Sequence, residues 1–263
     1  SMAGAKAGGE LPVLALDVMD DAASRPGQQR GDDKAHALAR TSRREAQHML
    51  GAVVAQIAVG EAAEDHAIVA DAIRQTLDGY EAAVNANGKQ DNRHRIEHIE
   101  VIHPNDIPRF AELGIVASMQ PVHQTSDRLM AEARLGPDRL DGAYPWRSVM
   151  TVGGRLAFGS DAPVEPADPF AGMAAAISRT DAKGEPFGGW FPQETVSREA
   201  ALAGFTSDAA FAGFAEGRFG RLVPGERADF LLVDRDPLLS PPDDIRQTKV
   251  IEVWIGGVKV RGE

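Results

Sequence analysis

Strand-like and helix-like runs alternate from about residue 11 to residue 205, and polar residues of catalytic type stand where the strand-like runs end. Few patterns constrain a fold more. A parallel strand can be reached only by a crossover, usually a helix packed on the sheet, so a repeated strand, loop, helix, strand order predicts βα units and an α/β fold. LPVLALDV (11–18) reads as a first strand, and DDAASRPGQQRGDDKAH (20–36) as a surface loop or disordered segment broken by Pro26 and Gly27. A short helix beginning near Thr41 leads into the strand VVAQIAV (53–59). Apolar residues at helical spacing over 68–88 predict a helix stopped by Gly88, followed by the strand HRIEHIEV (94–101).

The next unit repeats this grammar. HPNDIPRFAELG (103–114) offers Asn105 or Asp106 as a cap and Gly114 as a terminator before the strand IVASMQPV (115–122), and YPWRSVMTVGG leads into RLAFGSDAP (155–163). DPFAGMAAAISR and SREAALAGFTSDAAFAGF are helical in period. After them the character changes: GRLVPGERADFLLVDRDP and VIEVWIGGVKVRGE are β-rich with Gly turns. The expected division is residues 1–10 as a tag and disordered start, 11–216 as a βα barrel portion, and 217–263 as a small β-sandwich portion.

Charge and composition narrow the function. A formal charge of −11, from 28 basic and 39 acidic residues, argues against nucleic acid as a partner. No apolar run is long enough to cross a membrane and no signal-peptide pattern is present, so a soluble, cytoplasmic protein acting on a small molecule is expected. With no cysteine in the sequence, disulfides and thiolate metal sites are excluded, and any metal must be held by His, Asp, Glu or a modified Lys.

In a βα barrel the active site is built from the C-terminal ends of the strands. Three candidates fall there: His66, His98 at the end of RIEH, and Asp161 at the end of RLAFGSD. Imidazole and carboxylate are good zinc ligands, and an Asp beside an activated water also serves as its base. Each signal has a plain alternative, since a strand histidine is often just hydrogen-bonded and GSD makes Asx turns and caps. Gln120 and His123, after IVASMQP, stand where a substrate carbonyl would be met, or else make loop hydrogen bonds. Arg147 could hold a substrate carboxylate or stack on Trp146. Glu165 and Asp168 could support the site through hydrogen bonds or simply be surface, and Trp190 and Phe191 could wall the pocket or pack.

RIEHIEV, IVASMQPVH, RLAFGSDAPVEPADPFAGMAAAISR, SREAALAGFTSDAAFAGF and GRLVPGERADFLLVDRDPL, in that order and spacing, resemble the second half of the amidohydrolase superfamily. Within it they are most similar to amidohydrolase family three, a group of metal-dependent hydrolases. The resemblance runs from about residue 66 to the C-terminus. It implies a TIM-type (β/α)8 barrel with a small β-sandwich drawn from both chain ends. It also implies a divalent metal, Zn with Fe or Mn as alternatives, held by His66, His98 and Asp161, with Asp161 shuttling the proton in hydrolysis of an amide or cyclic amide C–N bond.

Three departures accompany the resemblance. The sequence has no His-x-His pair, which family members use for two further ligands, and Val13, Leu14 and Ala15 stand where a Lys or Glu ligand is expected. His66 follows QIAV only after the insertion GEAAED. Only about five barrel-like strands are legible, too few for an eight-stranded barrel, so a partial or remodelled barrel is expected. The alternative reading is therefore an inactive or incomplete relative, one that needs a partner half or covers its exposed edges as a homo-oligomer.

Overall fold

A computed structural model describes residues 13–15, 64–67 and 70–262 of the chain. The expected strand 53–59 and the helix near Thr41 lie outside the described residues. Two four-stranded sheets organise the rest. The first is parallel, in the order β2 (Glu64–Ala67), β3 (Arg95–His98), β4 (Val116–Met119) and β5 (Arg155–Phe158), with neighbouring strands consecutive in sequence. This is the partial barrel that the βα grammar predicts. Among the described residues it has four strands, half of a closed eight-stranded barrel.

Its helices follow the sequence signals. Helix α1 (Ala70–Asn87) buries Ile73, Leu77, Tyr80 and Ala83, the face that the helical period marks, and ends at Gly88 in the left-handed region, φ 79°. Helix α2 (Ile107–Leu113) ends at Gly114, φ 71°. Asp106 takes the expected N-cap position of α2 but its side chain makes no capping bond and pairs with Arg74 and Arg109; His103 Nδ1 instead accepts from the Asn105 N–H in the preceding turn Pro104–Asp106. Helix α3 (Pro121–Leu135) begins directly after β4, since Pro121 cannot continue a ladder but suits a first helical turn. Helix α4 (Trp146–Thr151) leads into β5, and α5 (Pro169–Ser178), α6 (Arg198–Gly204) and α7 (Ser207–Ala212) follow it.

The second sheet is antiparallel, with β6 (Phe230–Val233), β7 (Val250–Ile255) and β8 (Val258–Arg261), and a short helix α8 (Pro242–Ile245) precedes β7. Its fourth strand is β1 (Val13–Ala15), which pairs with β6 from Val13 opposite Leu232 to Ala15 opposite Phe230. The strand read in LPVLALDV is therefore real but belongs to the small sheet, not to the barrel portion. Both ends of the chain build that unit.

One buried cation fixes the mouth of the parallel sheet. Arg179, with no exposed surface, lies over the Trp146 ring at 4.5 Å and donates to three carbonyls: Trp190 (2.5 Å), Tyr144 (2.8 Å) and Ala143 (3.2 Å). It thereby ties the segment before α4 to the segment after α5. The same pre-α4 segment is held against the chain leaving β3, where Val101 bridges Ala143 and the Tyr144 N–H donates to the Glu100 carbonyl at 2.8 Å. Gly142 makes this approach feasible, because a Cβ there would collide with the Ile102 carbonyl.

Candidate metal centre

Strand β3 ends abruptly. The Ile99 N–H donates to the Glu97 carbonyl at 3.1 Å around His98, whose φ is 73°, the geometry of a tight γ-turn. Ile99 follows at φ 51°, and a β-branched residue there is a true outlier. Such backbone is costly and persists where the surroundings hold it, most often at functional sites. Here Ile99 is fully buried, and the turn returns the chain so that Glu100 lies near His98.

The first turn of α3 supplies the next group. His123, with a side chain 8 % exposed, stacks on His98 with ring centroids 5.8 Å apart and planes 13° from parallel. Its Nδ1 is 4.0 Å from Glu100 Oε1 and its Nε2 is 3.9 Å from Asp161 Oδ2. Ligand atoms of His98, Glu100 and His123 all lie within 4.8 Å of one another. Asp161 follows β5 in a turn closed by the Val164 N–H on its carbonyl at 2.8 Å, and it too is left-handed, φ 57°.

The electrostatics of the centre are acidic. Burial first, then the neighbouring Asp127 and Asp161, raises the Glu100 carboxyl to about 7. Tyr144 donates from its hydroxyl to Asp127 Oδ2 at 3.1 Å, and burial, with Glu100 and Asp127 beside it, pushes its phenol well above the ordinary range, so it remains a neutral donor. Ser126 bonds Glu165 across the mouth at 2.5 Å.

Two imidazoles and one carboxylate form the donor set of catalytic zinc sites, which use three protein ligands and leave one position open. Ligands bound at about 2.1 Å stand about 3.4 Å apart around a tetrahedral ion. The set, within 4.8 Å, therefore closes on a cation with movements of up to about 0.7 Å by each side chain. His98, Glu100 and His123 fit a divalent metal.

The sequence-predicted residues divide as follows. The structure brings His98, His123 and Asp161 together. Gln120 is buried at the head of α3, where its Nε2 donates to Glu97 Oε2 at 3.3 Å and its Oε1 has no partner. His66 stands within β2 itself, not in a segment after its strand, and its backbone lies beside Glu97 in the register. Arg147 is exposed on α4 and makes no ion pair among the described residues; the cation over Trp146 is Arg179 instead. Trp190 is buried against Tyr144 and Phe191, as packing predicts. Glu100, Asp127 and Arg179 were not singled out by sequence. For Glu100 a signal existed, since it is two residues beyond His98 in an alternating run, but the turn that returns it has no sequence mark.

The family model described as "Amidohydrolase family" matches residues 58–261. "Protein LONG AFTER FAR-RED 3" of Arabidopsis thaliana is 35% identical over 193 residues, which is 73% of this chain and 33% of that protein. The N-substituted formamide deformylase of Arthrobacter pascens is 29% identical over 188 residues, 71% of this chain and 34% of that protein. The crystal structure of an uncharacterized metal-dependent hydrolase from Pyrococcus furiosus superimposes with a TM-score of 0.60 at 32% identity, covering 72% of this chain and 37% of that one. The chain thus spans about a third of the length of these relatives. With a family model covering most of its length and the strand-end residues in place, the chain belongs to the amidohydrolase family.

Proposed function

We propose that the protein is a metal-dependent hydrolase that cleaves the amide or cyclic amide C–N bond of a small molecule, with His98, Glu100 and His123 holding one divalent cation. The observation that carries this reading is the convergence of those three ligand atoms within 4.8 Å, with Asp161 3.9 Å from the far nitrogen of His123. Bound there, a zinc-like cation supplies Lewis-acid activation of water at neutral pH. His123 presents Nδ1 to Glu100 and Nε2 to Asp161, so the nitrogen that did not hold the cation would face a carboxylate, which would fix the ring orientation. Asp161, partly open to solvent, accepts the proton of the attacking water and delivers it to the leaving nitrogen. Gln120, with its unpartnered Oε1, offers an acceptor to a substrate N–H. His66 remains a proposed further ligand.

The test is elemental analysis of the purified chain after dialysis against metal-free buffer, followed by hydrolysis assays with and without added Zn²⁺. N-substituted formamides, the class named for the Arthrobacter pascens relative, head the substrate panel. About one metal per chain and hydrolysis lost in Asp161→Asn, with the fold intact, are expected. Unchanged turnover in that variant removes Asp161 from the mechanism.

A second reading is favoured by the absence of any His-x-His pair from the sequence. In it these residues form one part of a site completed by another segment or by a second copy of the chain. Metal content near zero that excess Zn²⁺ does not raise, together with self-association in light scattering, would select it.

A further inference from the structure

Gln120 and Glu97 join the same two segments that carry the stacked imidazoles. Glu97 directly precedes His98, and the backbone carbonyl of Gln120 accepts the His123 N–H at 3.1 Å. Glu97 stands opposite Ser118 in the register, and alternation along β4 puts Val116, Ser118 and Gln120 on one face. That face is opposite to the one whose Ile96, Ala117 and Leu156 join the helix-packed core, and at its far end Val116 packs with Ala157 and with Ala212 of α7. Gln120 therefore sits at the C-terminal ends of the strands on the inner face of the partial barrel, where such folds build their sites.

The bonding fixes which way the Gln120 amide faces. Glu97 is buried and paired with Arg95, whose Nε donates to Glu97 Oε1 at 2.9 Å. A carboxylate only accepts, so the amide nitrogen of Gln120 must be the group that meets Glu97 Oε2, at 3.3 Å. Gln120 Oε1 is thereby directed away from Glu97, and it is buried with no partner among the described residues. A buried acceptor of that kind calls for a donor from a ligand or an ordered group.

We propose that Glu97 is a positioning residue that turns the Gln120 side-chain carbonyl toward the substrate, and that the site thereby selects amides bearing an N–H over N,N-disubstituted amides and esters. An amide free to flip would serve donors and acceptors alike; with its nitrogen held on Glu97, Gln120 offers an acceptor alone. A ligand without the N–H leaves that buried oxygen unpaired, and a site built around one hydrogen bond rejects the analogue that cannot make it. The inference rests on the hydrolase reading above and adds to it the role of Glu97 and the limit on the substrate class.

The experiment compares N-butylformamide with N-butyl-N-methylformamide and butyl formate, by ligand-detected NMR titration of the metal-free chain and by hydrolysis with the zinc-loaded chain. N-Butylformamide should bind about tenfold or more tighter than either analogue, and kcat/KM should favour it over the N-methyl compound at least as strongly. Glu97→Gln, which lets the Gln120 amide turn, should bring the three affinities within about threefold, as should Gln120→Met. Glu97→Asp, which keeps the charge, should retain part of the gap. Equal binding of the three ligands by the wild-type chain, or binding of none, overturns the proposal even if no variant folds. So does a preference unchanged in Gln120→Met. A parallel loss for all three ligands in Glu97→Gln makes Glu97 structural and overturns its positioning role. Preferential binding of N-butylformamide by a chain that hydrolyses nothing would instead remove the hydrolase reading and leave the selection for N–H standing.

Discussion

His123 Nε2 and Asp161 Oδ2 stand 3.9 Å apart, a gap too wide for a hydrogen bond and narrow enough for a small side-chain movement to close. The two residues come from the heads of consecutive βα units, one from the first turn of α3 and one from the turn after β5. Their pairing ties a proposed metal ligand to the proposed proton carrier.

Removal of either side chain from the ligand set should release the metal. For His98→Ala and Glu100→Gln, Zn²⁺ affinity is expected to fall by more than the 10–100-fold, or about that, typical of residues one step removed from a metal. Competition with a chromophoric chelator measures it. Wild-type affinity in both variants would place the metal elsewhere.

Glu100 should give the metal-free chain a distinctive pH dependence. Its folded-state pKa is raised from 4.5 to about 7 by burial and by Asp127 and Asp161. A carboxyl raised in this way holds its proton more tightly when folded, so its contribution to stability is full below its ordinary value and is lost as pH rises to about 7. The loss amounts to up to about 3 kcal/mol. Urea midpoints should therefore fall for the metal-free wild type between about pH 5 and pH 8 by more than they do for Glu100→Gln, and the variant should be the more stable at the upper pH. Parallel profiles for the two proteins would contradict the burial of this charge.

Arg179 is the structural counterpart of the site. Burial lowers its pKa to about 10, still well above neutrality, so it is charged where it meets the carbonyls of Trp190, Tyr144 and Ala143. Arg179→Met removes a costly buried charge but leaves the Trp190 and Ala143 carbonyls without donors, each worth about 1–3 kcal/mol, while the Tyr144 carbonyl keeps the Trp146 N–H at 2.9 Å. The carbonyls win, and a net loss of about 3 kcal/mol is expected from chemical denaturation. A variant as stable as wild type would show that water replaces the guanidinium.

Close packing on the helix side of β5 offers an independent check. A Cβ at Gly204 would run into the Phe158 ring, which already packs on Trp146 and Phe205. Gly204→Ala should cost about 1–3 kcal/mol in spite of alanine's better helix propensity. A gain in melting temperature would show that the ring has room to move.

The sequence made the parallel strands, the Gly-terminated helices and the β-rich tail legible because each rests on local rules: period, caps and turn residues. His98 and Asp161 were legible by their place at strand ends. Glu100 was not, because its position depends on left-handed backbone at His98 and Ile99, which no propensity favours. Arg179 escaped for a related reason: nothing in ISRTD distinguishes a surface arginine from one buried beneath Trp146. The destination of LPVLALDV was equally hidden, since a short apolar strand fits either sheet and only its partner β6 decides.

That partner is more than 200 residues away, as the pairing of Val13 with Leu232 shows. Contacts so distant in sequence are slow to form, because a long loop must close before any ladder bond rewards it. β1 can join its sheet only after β6 has been synthesised, more than 200 residues later. The small sheet is thus expected to be completed last, and until then the edge of β6 stands open to mispairing with other chains.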